Sequence, residues 1–243
     1  MITQLATSLY DQCLAAYEVR SSLQSGQEPD TLTALRNRAI ERFKKLGFPS
    51  TRHEEWKYTN LAPYLREEYF MEQEEDMINL DEETWKQQRI AGLDAYTLVT
   101  INGKLSAALS DHIPAREAVV CSLQDAFNEA GFKAHFGKHL QMENQSLAAL
   151  NTALFRDGIY IEVKAGGRLS RPIQIIHVRT SPGSLLIHPR QLFILGKHAE
   201  ACILESYFTA AGSMPLFANE ANEIVLAENS NLTHYCLQQG DDS

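Results

Sequence analysis

The 243-residue chain is poor in cysteine, and its four, Cys13, Cys121, Cys202 and Cys236, stand far apart with no Cys-x-x-Cys pair. That spacing excludes a disulfide framework and the paired thiolates of zinc ribbons, and it reads as a reduced, cytoplasmic protein. Cys202 and Cys236 fall in strand-like sequence, where a free cysteine acts more often as a small buried hydrophobe than as a ligand. Long hydrophobic runs are also missing. Nothing approaches the ~18 uncharged apolar residues that span a bilayer, and no secretory leader pattern opens the chain. Excess positive charge is absent: 22 Lys and Arg face 31 Asp and Glu, for a formal net charge of −9. That balance argues against capture of nucleic acid or of an anionic membrane. Catalytic signatures are lacking too, with no Ser/His/Asp order and no phosphate-binding glycine loop.

What the sequence does hold is a soluble-protein composition, 44% apolar and 22% charged, and a series of strand-like runs after Asp157. These are Gly158–Val163, Pro172–Val178, Gln191–Leu195, Ala201–Phe208, Glu223–Leu226 and Thr233–Leu237. Each is short and rich in β-branched, aromatic or Leu residues, with Gly, Pro or Asn between runs. They come in pairs whose first positions, 160, 192 and 223, recur about every thirty residues, a solenoid-like period. The expected fold is therefore mainly β with an N-terminal α/β part: a right-handed parallel β-helix (β-solenoid) preceded by helices and a small α/β segment. The rival is an antiparallel sandwich with hairpins of similar length.

Ahead of these runs, Ile2, Leu5, Leu9, Cys13, Ala16 and Tyr17 share a helical face, predicting a helix from residue 2 to about 24, stopped by Ser25-Gly26. Pro29-Asp30 starts a second helix with face Leu32, Leu35, Ala39, Phe43 and Leu46, ended by Gly47. The acids of Glu67–Glu83 read as a solvated face. Ala95–Ile101 and Lys104–Leu109 flank Asn102-Gly103, a type I′ hairpin signal. Ala118–Cys121 reads as a third strand, Ser122 with Asp125 as a capping box opening a helix over Leu123, Ala126, Phe127 and Ala130, and Leu147, Leu150 and Leu154 as a helix face. The expected division places an N-terminal helical and α/β region at 1–150 and the first coils of the β-helix at 151–243.

Few residues suggest chemistry. His135-x-x-x-His139 has helical metal-ligand spacing, but Gly137 lies between and no Glu follows the first histidine, so the pair reads as two surface histidines. His177, His188, His198 and His234 lie in or beside the strand runs, where outward polar positions are expected. Glu162, Glu205 and Glu223 occupy dissimilar places in their runs, against a stacked carboxylate site. In Arg52-His53-Glu54-Glu55-Trp56-Lys57-Tyr58, an acid–base reading would use His53 with Glu54 or Glu55. The structural reading makes Trp56 and Tyr58 anchors and pairs Arg52 with a carboxylate. No catalytic, cofactor-binding or metal-ligating residue is assigned.

The segment Phe48-Pro49-Ser50-Thr51-Arg52-His53-Glu54-Glu55-Trp56-Lys57-Tyr58-Thr59 resembles a signature of the SufB/SufD family of iron–sulfur cluster assembly proteins. Leu150–Gly158, Pro172-Ile173 with His177, Pro189-Arg190 with Leu192–Leu195, Glu205 and Glu223–Gln239 extend the resemblance over about residues 40–240. The short N-terminal region favours the SufD branch. The resemblance implies a parallel β-helix and a non-catalytic scaffold that pairs with a SufB-like sister and docks a SufC-like ABC-type ATPase. It implies no cofactor held by the chain alone, the cluster forming transiently in the full complex. Members usually continue past this chain's end, so an N-terminal fragment or truncation is expected, with self-association through an exposed β-helix edge. The alternatives are a carbohydrate-active or acyl-transfer enzyme on a β-helix and a generic binding module using Arg52–Tyr58.

Overall fold

The computed structural model describes residues 8–23, 28–71, 85–180, 183–210, 212–213 and 216–238. Its first helix, α1 (Leu9–Leu23), buries Leu9 and Cys13. The start and the Ser25-Gly26 stop expected for it lie outside the described residues, as do most of the acids between 67 and 83. Helix α2 (Asp30–Leu46) buries Leu32, Arg36, Ala39, Ile40 and Phe43 along one face. It ends as expected at Gly47, whose N–H makes the last i→i−4 bond, to the Phe43 carbonyl at 2.8 Å, and whose φ of 65° then turns the chain out of the helix. A glycine adopts that left-handed geometry without a Cβ clash.

Two short helices follow, α3 (Ala130–His135) and α4 (Ser146–Leu154). The expected capping box forms in part: Asp125 N–H reaches Ser122 Oγ at 3.1 Å, but the return bond runs from Ser122 Oγ–H to Asp125 Oδ2 at 2.8 Å and not from the Ser122 backbone N–H. It opens only a 3₁₀ turn at Asp125–Asn128, because Glu129 is extended (ψ 140°) and separates that turn from α3.

Twelve strands form three sheets among the described residues: β1 (Phe70–Met71), β2 (Tyr96–Ile101), β3 (Lys104–Leu105), β4 (Val119–Ser122), β5 (Gly158–Val163), β6 (Ile173–Arg179), β7 (Leu185–Ile187), β8 (Arg190–Leu195), β9 (Glu200–Thr209), β10 (Leu216–Ala218), β11 (Ala221–Leu226) and β12 (Asn231–Gln238). Their orders are β1-β7-β10, β11-β8-β5-β4 and β12-β9-β6-β2-β3.

The expected right-handed parallel β-helix is corrected here. Two of the three sheets mix parallel and antiparallel pairing, since β4 runs antiparallel to β5 and β3 antiparallel to β2. The early strands β1, β2 and β4 are hydrogen-bonded to strands from the C-terminal half, and α1 to α4 pack beside the sheets. The thirty-residue recurrence survives as a pairing offset, Arg190 lying in register with both Gly158 and Ala221. A sequence period reports which strands can be neighbours. It does not report the distant strands that join them, and here those include antiparallel ones. The Asn102-Gly103 turn is as expected, with positive φ at both residues (50° and 88°).

The inward faces of the two larger sheets enclose Leu98, Ile159, Ile161, Ile173, Ile175, Phe193, Leu195 and Ile203. Helices α1, α2 and α4 pack together with Leu186 of β7. Arg36 locks α2 to the end of α4: its Nη1 donates to the carbonyls of Thr152, Ala153 and Phe155, and its guanidinium lies 3.7 Å from the Phe155 ring centre. A cation at a helix C-terminus satisfies carbonyls the helix leaves free. Asn151 ties α4 to the strands, its Nδ2 donating to Pro189 O and Asn219 O.

Candidate functional site

Along β9, Ala201 and Ile203 face the core between the sheets, so strand alternation places Glu205 and Tyr207 on that same inward face. The apolar lining therefore gives way to carboxylate and phenol within one strand. Glu205 is 1% exposed. Its Oε2 accepts from His177 Nε2 at 2.8 Å and Gln191 Nε2 at 2.7 Å, and its Oε1 faces His234 Nε2 at 2.5 Å. Glu220, in the turn between β10 and β11, adds a second carboxylate: its Oε1 accepts from Tyr207 OH at 2.8 Å and Gln191 Nε2 at 2.9 Å. Behind His177, Thr100 Oγ1 lies 2.9 Å from Nδ1, and the Tyr207 ring stacks on the imidazole with centres 4.7 Å apart.

Parallel register brings its members on β2, β6, β9 and β12 together in one sheet, and Gln191 of β8 in the facing sheet and Glu220 in the turn complete it. His177 of β6 pairs with Tyr207, and Cys236 of β12 pairs with Glu205. Burial alone would push the Glu205 carboxyl up, but hydrogen bonds from His177 and His234 outweigh it and hold the group down at about 2. The hydrogen bond to Glu205 in turn raises His234 above the ordinary imidazole value, against the opposing effect of burial. Burial raises the Cys236 thiol, as does the nearby Glu205 charge, while the Tyr207 hydroxyl bonded to it acts in the opposite direction.

A second polar cluster lies on the outward side of β8 and β11. Arg190 Nη2 meets Glu223 Oε1 at 2.6 Å with both side chains fully buried. Glu223 also accepts the backbone N–H groups of Gly137 and His139 at 2.8 and 2.9 Å, which joins the strands to the loop after α3. Arg190 Nη1 reaches Asn151 Oδ1 at 3.2 Å.

The structure separates the three strand glutamates: Glu162 accepts from Tyr160 OH at 2.6 Å, Glu205 heads the inward cluster and Glu223 serves Arg190. No shared carboxylate site forms among them. His135 and His139 are stacked at the surface with Nδ1 and Nε2 3.3 Å apart. Their spacing thus does bring the rings together. Cys202 and Cys236 are both free and face opposite sides of their sheet, since Cys236 is in register with Glu205 whereas Cys202 stands three residues away from it. His198 is an exposed turn residue with φ 58°.

Three of the four strand histidines correct the expectation of outward positions: His234, in register with the core residue Ile203, turns inward to Glu205. His177 is 5% exposed inside the Glu205 cluster, and His188 is buried with Nδ1 3.2 Å from Asn219 Nδ2. Sequence reading also missed Thr100, Gln191, Tyr207 and Glu220. A signal was present for two members: His177 and His234 lie 28 and 29 residues either side of Glu205, each offset two residues short of that of the Glu205 register partners Ile175 and Cys236, and so on the same face. The Arg52–Tyr58 segment lies on the surface. Tyr58 is 91% exposed and Trp56 half-buried, so Tyr58 is not the anchor expected of it. His53 Nδ1 bonds locally to Ser50 N at 3.1 Å.

Known proteins are similar to this chain in sequence. The family described as "SufBD protein N-terminal region" matches residues 7–175. An iron–sulfur cluster assembly SufBD family protein of Synechocystis is 26% identical over 225 residues, covering 88% of this chain and 49% of that protein. The iron–sulfur cluster assembly protein SufD of Escherichia coli K12 is 24% identical over 209 residues, covering 82% of this chain and 44% of its own length. The chain thus spans about half the length of the curated relatives it matches.

Proposed function

The chain belongs to the SufBD family, and from that premise we propose that it is a non-catalytic scaffold subunit of the Suf iron–sulfur cluster assembly machinery. In this reading it pairs with a SufB-like sister scaffold and an ABC-type, SufC-like ATPase in the cytoplasm, and the cluster is cargo formed in the complex. The observation that carries it is the family match over residues 7–175, joined by two relatives whose names state iron–sulfur cluster assembly. The absence of a shared site for Glu162, Glu205 and Glu223 weighs against the alternative of a carboxylate-based enzyme.

One observation favours a contact role for the Arg52–Tyr58 segment within that complex. It presents an almost fully exposed Tyr58 beside Lys57, whose Nζ lies 5.4 Å from the ring centre, and exposed tyrosines are common interface anchors.

The test is affinity capture from the source cells with a tag placed at the protein's own locus. An ABC-type ATPase and a second SufBD-family chain are expected to co-purify. Recovery of neither overturns the reading. The same capture with Tyr58→Ala should recover less of one partner if the segment is a contact, and unchanged recovery of both removes that role.

A further inference from the structure

We propose that His177, Glu205 and Glu220 form a binding site for a divalent first-row transition-metal ion. One donor atom from each of the three lies within 4.8 Å of the others. Nitrogen and oxygen ligands sit ~2.0–2.2 Å from such an ion, so small side-chain adjustments would close the three around it. Two of the three are buried and Glu220 is half-buried, which leaves a way in from the surface past Glu220 and His234.

The groups around the cluster are arranged as a metal site requires. Thr100 Oγ1 stands 2.9 Å from Nδ1 of His177. A bound ion would displace the proton that Nε2 gives Glu205; the proton then kept on Nδ1 is donated to that hydroxyl and Nε2 turns its lone pair to the ion, the outer-shell arrangement that fixes the tautomer of a ligating imidazole.

A separate observation points to a missing ligand. Gln191 is 2% exposed and its Oε1 is buried with no hydrogen-bond partner, while its Nε2 lies 2.7 Å from Glu205 and 2.9 Å from Glu220. Amide oxygen and nitrogen exchange places by rotation. With a cation bound, the amide turned about would set its oxygen between the two carboxylates as a further donor to the ion.

The donor set selects the ion class. An imidazole with two carboxylates, a second imidazole at Glu205 Oε1 (His234, 2.5 Å) and Cys236 in register with Glu205 at the rim suit zinc, ferrous or cobaltous ions better than magnesium or calcium, which take oxygen ligands. A dication also balances Glu205 and Glu220 with both imidazoles neutral. This inference rests on the side-chain geometry alone, so it stands or fails separately from the family reading and from the capture experiment.

The test is titration of the full chain with Co²⁺ alone, followed by visible absorption and calorimetry, and then displacement by Zn²⁺. One Co²⁺ per chain is expected. Glu220→Gln and His177→Gln should each weaken binding at least about tenfold with an unchanged far-ultraviolet circular dichroism spectrum. Glu220 is half-buried, so its variant serves even if the His177 variant fails to fold. The His135→Ala/His139→Ala double variant should bind as the parent does. No stoichiometric uptake by the folded parent overturns the proposal, as does affinity unchanged by Glu220→Gln, or uptake lost only when the surface pair His135/His139 is removed.

Discussion

Arg190 and Glu223 meet at 2.6 Å with neither side chain reachable by solvent, and their surroundings are unequal. Glu223 keeps two backbone N–H donors, from Gly137 and His139. Arg190 has Asn151 Oδ1 at 3.2 Å, Thr152 Oγ1 at 3.5 Å and a buried Nε with no partner. Removing one member of a buried pair strands the other charge at a cost of ~3–5 kcal/mol, whereas replacing both is far milder. Glu223→Ala should therefore destabilise more than Arg190→Met, and the double variant Arg190→Met/Glu223→Leu less than either. Urea unfolding of the three variants checks the order. Equal losses for both single variants would show that the backbone donors do not support the carboxylate.

Gly158 opens β5 where the chain passes closest to β8. A Cβ on Gly158 would stand 1.6 Å from the Arg190 carbonyl oxygen and 2.9 Å from Leu123 Cδ1. Backbone cannot yield as a side-chain tip does, so Gly158→Ala should cost at least about 3 kcal/mol, at the upper end of overpacking penalties. Gly166 is the control: it has open space but a φ of 69°, so Gly166→Ala should cost only the ~1–2 kcal/mol of a left-handed alanine. Thermal or denaturant unfolding that ranks the two alike would remove the steric account.

This contrast bears on what the sequence made legible. Local rules found the Gly47 helix end, the Asn102-Gly103 turn, the Ser122–Asp125 box and the strand runs, because each depends on residues within a few positions of one another. The mixed sheets were hidden because Tyr96–Ile101 finds its partner about 77 residues later, in Ile173–Val178. The Glu205 cluster was hidden for a related reason. His177 and His234 read as outward positions while strand phase was judged run by run, and only the register places both against one carboxylate. Glu220 and Gln191 carry no local signature. The Arg52–Tyr58 motif was visible by its residue types, but its exposure was not.

His188 supplies a pH dependence that its own variant isolates from that of His234, whose raised pKa acts with the opposite sign. Burial pushes its pKa down to about 3, so between that value and the ordinary ~6.5 the unfolded chain binds a proton that the folded chain refuses. Stability from this group is complete above the unfolded value and is lost as pH falls through it, by up to ~1.4 kcal/mol per pH unit. The interval from pH 7 to 5 isolates the effect from Glu205, which titrates near about 2. His188→Gln should flatten the slope of unfolding free energy over that interval, measured by urea midpoints at several pH values. A parent-like slope in the variant would assign the dependence elsewhere.

Among the described residues β11 and β12 end their sheets, and the side chains there suit them to contact a second copy. Ile224 and Leu226 are in register with the core residues Phe193 and Leu195, yet they are 38% and 52% exposed. On β12, Tyr235 and Leu237 are 55% and 42% exposed. A row of unpaired backbone groups beside apolar side chains is a template for another strand. The described chain should therefore self-associate with rising concentration through β11 and β12, as light scattering coupled to size exclusion would register. Leu226→Lys with Leu237→Lys should return it to monomer without loss of fold, because both side chains are already partly in water and a charge on an edge strand blocks pairing. A parent that stays monomeric across the concentration range, or association that persists in the lysine variant, places the contact elsewhere or removes it.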